Sequence, residues 1–75
     1  MKYQEMKIVM RSKARFANGL VNLLKDDTDQ ICVDVDDLDI FSLKEAIREA
    51  KRTTQTLMDT VNDLERDLRL FTRDA

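Results

Sequence analysis

The feature that most constrains this chain lies in its second half. Leu43, Ile47, Ala50, Thr54, Leu57, Val61, Leu64, Leu68 and Phe71 follow one another at spacings that alternate strictly between four and three. A stripe of that period stays on one side only in an α-helix lying lengthwise along another helix. Ser42 and Glu45 stand at its start with the spacing of a capping box, in which the Ser42 hydroxyl accepts from the Glu45 amide and the Glu45 side chain reaches back to the Ser42 amide. The pattern predicts a helix over residues 42–73, with Asp39 or Asp37 as alternative caps for an earlier start.

A second helix is expected over residues 3–25. At about 100° per residue, Met6, Met10, Ala14, Ala17, Leu20, Val21 and Leu24 share one side, and Val9, Phe16 and Leu23 widen it to about half the circumference. Lys7, Arg11, Asn18, Asn22 and Lys25 take the other half, with Ile8 as a misfit. The single glycine, Gly19, falls toward the polar side, at a cost of about 1 kcal/mol relative to Ala. Between the helices, residues 26–41 carry Asp26, Asp27, Asp29, Asp34, Asp36, Asp37 and Asp39. Asp side chains compete for backbone hydrogen bonds, so this stretch reads as an acidic loop. Within it, residues 31–35 have the composition of a short extended segment, which would need a strand from another chain.

The expected fold is therefore all-α: one antiparallel helical-hairpin domain over residues 1–75 that assembles into a multi-helix bundle. If Leu24 faces Leu43 across the loop, Tyr3 lies opposite Leu64, and Leu68, Leu70 and Phe71 overhang. The same register sets Lys13, which interrupts the apolar arc, opposite Thr54, as a snorkelling ammonium or as a polar layer that fixes register. The wide apolar face and the overhang both point to self-association, with a dimeric four-helix bundle as the simplest form.

Composition narrows the chemistry. Without His there is no ordinary near-neutral base. With one Cys there is no tetrahedral zinc site, and with one Gly neither a Walker loop nor a dinucleotide fingerprint. The expectation is a non-enzymatic chain with no cofactor and no metal. Cys32 reads as a small apolar residue in preference to a reactive thiol. No apolar run is long enough for a signal peptide or a membrane span, so a cytoplasmic protein is expected.

Four constellations remain as candidate sites. Lys7, Arg11 and Arg15 form a basic stripe on one helix face, where like charges repel and an anionic partner would relieve them. A nucleotide or nucleic acid is the alternative partner there, although a formal net charge of −2 weakens it. The acidic run resembles a calcium loop only poorly, with Leu38 and Asp39 where a ligand and a glycine belong. It is better read as stabilising the next helix N-terminus or facing a basic partner. Met6, Met10 and Met58 suit an adaptable groove but more commonly fill a helical core. Leu68, Arg69, Leu70 and Phe71 would be a protein-binding hot spot if no sister chain covered them. The leading reading is a regulator, inhibitor or scaffold that binds another macromolecule and associates with itself through the Leu43–Phe71 seam.

Overall fold

A computed structural model describes residues 2–72 as two helices, α1 (Lys2–Asp37) and α2 (Ile40–Thr72), packed antiparallel as the expected hairpin. The expected end at Arg73 lies outside the described residues. The first helix has 36 residues and the second has 33 residues. At about 1.5 Å per residue they span roughly 54 Å and roughly 50 Å. The molecule is accordingly a rod of 55 × 15 × 11 Å. Its radius of gyration is 17.0 Å, against about 11 Å for a compact globule of this length.

The acidic run is the main correction. Residues 26–37 are helical, so there is no loop over 26–41 and no extended segment at 31–35. Asp costs only about 0.7 kcal/mol relative to Ala in a helix. Here that cost is offset by packing, because the spacing of inward-facing residues runs on through the Asp block: Met6, Met10, Lys13, Ala17, Leu20, Leu24, Asp27, Ile31 and Asp34 are all buried or half-buried and alternate by four and three. Helices of nearly equal length then abolish the expected overhang, and Phe71 is half-buried.

The turn is correspondingly short. The Asp39 amide donates to the Asp34 carbonyl (3.0 Å) and the Leu38 amide to the Val35 carbonyl (3.2 Å). Together these bonds make the Schellman closure of a helix. Leu38 holds the left-handed position of that motif, with φ 54°, where glycine is the usual occupant. Asp39 also starts the next helix: its side chain accepts from the Ser42 amide (3.1 Å) and its carbonyl from the Leu43 amide (2.9 Å), which is the N-cap arrangement. The cap is thus Asp39 rather than the Ser42–Glu45 box. The Ser42 hydroxyl instead donates to Asp34, and Glu45 pairs with Arg48.

From α2 the inward columns are Leu43, Ala50, Leu57, Leu64 and Phe71, alternating with Ala46, Thr53, Thr60 and Asp67. Much of this seam is small or polar, and Leu20 and Ala46 are the buried apolar residues along it. The Lys13 ammonium donates to Asp67 at 2.6 Å, and the Thr53 hydroxyl to Asp27 at 3.2 Å. Going from the first contact to the second is two heptads forward on α1 and two back on α2, so the register holds without drift, as in an antiparallel coiled coil. Lys13 therefore faces Asp67 and not Thr54. Near the turn, Asp34 is 3% exposed and accepts from Gln30 Nε2 and Ser42 Oγ, each at 2.9 Å. Among the described residues, no buried side-chain polar atom lacks a partner.

Candidate functional site: two apolar faces

Each helix is apolar over a wider arc than the other helix can cover, so the flanks of the seam become surface. In an antiparallel heptad pair, the same flanking position of each helix meets on the same side of the seam. One flat face of the hairpin therefore carries Val21 of α1 with Ile47, Val61 and Leu68 of α2. The opposite face carries Val9, Phe16 and Leu23 of α1 with Leu70 of α2. These side chains are between 40% and 55% exposed. They define a Leu68 face and a Phe16 face.

The expected Leu43–Phe71 stripe is thus divided between two roles. Leu43, Ala50, Leu57, Leu64 and Phe71 turn toward α1, whereas Ile47, Thr54, Val61 and Leu68 lie exposed beside the seam. Sequence patterning favours Ile47, Val61 and Leu68 as inward residues because they are larger and more apolar than Ala46, Thr53 and Thr60. The structure puts the small residues inside. The signal that could have separated them is the continuation of α1, since a seam that admits Lys13, Asp27 and Asp34 needs small or polar residues opposite.

The remaining surface is distributed as follows. Lys7, Arg11 and Arg15 are exposed on the outer side of α1, where Arg11 lines two shallow adjoining grooves, one with Gln4, Lys7 and Ile8 and the other with Ile8, Ser12 and Arg15. Met6 and Met10 are half-buried in the seam, and Met58 is exposed. Cys32 is an exposed free thiol. Leu38, Ile40 and Phe41 form an apolar tip, 66–81% exposed. Among the described residues, no group of three His, Cys, Asp or Glu side chains is placed to hold a metal ion. The helical backbone through Asp34–Asp37 also removes the loop that a calcium site would need. No described helix is long and apolar enough to cross a membrane.

The rod shape gives the chain a large surface for its mass. The chain exposes 6136 Å². A compact monomer of its mass, 8.8 kDa, exposes roughly 4800 Å². The excess is about 1300 Å² on that scale. No large side chain among the described residues is fully buried.

The chain matches no family model, and no curated protein or solved structure is significantly similar to it.

Proposed function

We propose that this chain is a non-enzymatic interaction module, a helical hairpin that associates with copies of itself and in that form regulates, inhibits or scaffolds another macromolecule. The observation that carries the reading is the exposure of Phe16, Leu23, Val61 and Leu68 in heptad register on the two faces beside a seam that admits charged and small residues. Apolar area stabilises by about 25 cal/mol per Å² when removed from water, and about half of the area of these side chains is left exposed within one chain. The seam supplies register through Lys13–Asp67 and Asp27–Thr53, and the faces supply the driving force for association.

Sedimentation or light scattering at several concentrations tests this. A mass above one chain that falls on dilution is the expected result. A mass of one chain throughout, with a cooperative thermal transition independent of concentration, overturns it.

The basic stripe supports a second reading, an assembly that gathers Lys7, Arg11 and Arg15 of several chains around a phosphate-bearing ligand. The grooves beside Arg11 favour it, because they set two arginines and a lysine around Ile8. A salt titration separates the two readings: phosphate contacts weaken steeply with salt, and apolar contacts survive several hundred millimolar.

A further inference from the structure

The two flat faces differ in the charge along their edges. Beside the Leu68 face run Lys7, Arg11 and Lys25 of α1 and Lys44 and Lys51 of α2, all exposed, of which Lys25 pairs loosely with Asp29 of its own helix at 3.8 Å. Glu65 is the acidic residue in that rim among the described residues, and Arg69 pairs with it. Beside the Phe16 face run Glu5 and Asp26 of α1 and Glu45 and Asp59 of α2, and on the face itself, in the columns of Leu23 and Leu70, stand Asp37, Glu49 and Asp63. Its two cations, Arg52 and Arg66, are already engaged with Glu49 and Asp63. The hairpin is thus a thin slab with a cation-rich Leu68 face and a carboxylate-rich Phe16 face, the latter taking most of its apolar surface from α1.

We propose that the hairpins stack heterologously, the cation-rimmed Leu68 face of one copy seated on the carboxylate-rimmed Phe16 face of the next. This specifies the geometry of the self-association proposed above and rests on it. Two copies joined through the same face would bring like-charged rims together, which costs affinity, whereas unlike faces bring opposite rims together. A second copy stacked in the same orientation sets its Lys25 beside Asp26, its Lys44 beside Glu45, its Val21 beside Leu23 and its Leu68 beside Leu70, with its Ile47 and Val61 against Glu49 and Asp63, each already paired with an arginine of its own helix. A heterologous contact leaves one unlike face open at each end, so growth continues past two chains unless the stack closes into a ring.

The test uses two face variants of the full chain. Val61→Asp/Leu68→Asp spoils the Leu68 face, and Phe16→Asp/Leu23→Asp spoils the Phe16 face. Each retains one intact face, and the two intact faces are complementary. The wild type is expected to grow in mass beyond two chains as concentration rises. Each variant alone is expected to sediment as a single chain, and an equimolar mixture as a discrete 1:1 pair. If a variant alone loses its helical circular dichroism, recovery of that signal on mixing reports the same pairing. Failure of the mixture to pair, by mass and by helicity, overturns the stack. So does a wild-type mass that stops at two chains with one of the variants still dimeric, which would mean pairing through one like face and would leave self-association standing. A wild type that stays a single chain at every concentration removes both proposals.

Discussion

Between the helices, Lys13 meets Asp67, Asp27 meets Thr53, and Ala46 and Thr60 occupy positions where a two-helix coiled coil ordinarily carries leucine. Beside the helices, Phe16, Leu23, Val61 and Leu68 stand about half exposed. Buried polar pairs contribute little net stability, because desolvation offsets their attraction, but they strongly penalise every misaligned register. Small residues let the helices approach closely and leave the bulky side chains directed outward. The inside of the hairpin therefore fixes which residues lie level with which, and the outside holds the apolar area that can drive assembly.

The largest expected effect comes from breaking the seam on one side only. Lys13→Met strands the Asp67 carboxylate, whose side chain is 14% exposed, without its cation. The loss should be about 2–3 kcal/mol, read as a drop in thermal midpoint at fixed chain concentration. Lys13→Met/Asp67→Leu removes both charges and should regain that stability or exceed it, while the sedimenting species becomes more heterogeneous because one of the two polar contacts that enforce register is gone. A double variant as unstable as the single one would mean that the pair stabilises the hairpin outright, and the division between inside and outside would fail.

Asp34 tests the same division at the other end of the seam. It is nearly fully buried and is held by Gln30 and Ser42 rather than by a cation. Asp34→Ala should cost about 1–2 kcal/mol through two lost hydrogen bonds to a carboxylate. It should leave association unchanged, since neither apolar face includes Asp34. A shift in mass without a shift in midpoint would place Asp34 in the intermolecular contact instead.

Leu38 is expected to give a gain. A non-glycine residue in the left-handed region costs about 1–2 kcal/mol. This leucine is 81% exposed, so it recovers little of that cost by burial within the hairpin. Leu38→Gly should raise the midpoint by an amount corresponding to about 1 kcal/mol, less the added freedom of the unfolded chain. A fall would show that Leu38, with Ile40 and Phe41, is covered in the assembled form.

Legibility from sequence follows the same inside–outside division. Both helices, the antiparallel hairpin, the polar-side placement of Gly19 and the alternative cap at Asp39 can be read from periodicity and capping chemistry, because these depend on neighbours in the chain. The helical Asp run cannot be read by a rule that takes the seam to be apolar. Asp27 and Asp34 obey the four–three spacing together with Leu24 and Ile31, but only a seam that tolerates charge counts them. The same rule moves Ile47 and Val61 inside and Ala46 and Thr53 outside, and pairs Lys13 with Thr54. Register across a turn depends on where the turn falls, and moving it from a loop over 26–41 to Leu38–Asp39 shifts every cross-helix partner.

The smallest effect discriminates on the outside. A Cβ built on Gly19 meets nothing within 4 Å. Within one hairpin, Gly19→Ala should therefore simply strengthen α1 by up to about 1 kcal/mol. Gly19 lies on the outer edge of the Phe16 face, however, between the levels of Phe16 and Leu23. If a second copy rests on that face at helix-packing distance, the missing side chain permits a close approach that alanine would obstruct. Measured dilute, where single chains dominate, the substitution should raise the thermal midpoint. Measured concentrated, it should raise the midpoint by less, because part of the gain in the chain is lost in the contact. An equal gain at both concentrations would place the neighbouring copy away from Gly19 and confine the contact to the central apolar strip of the face.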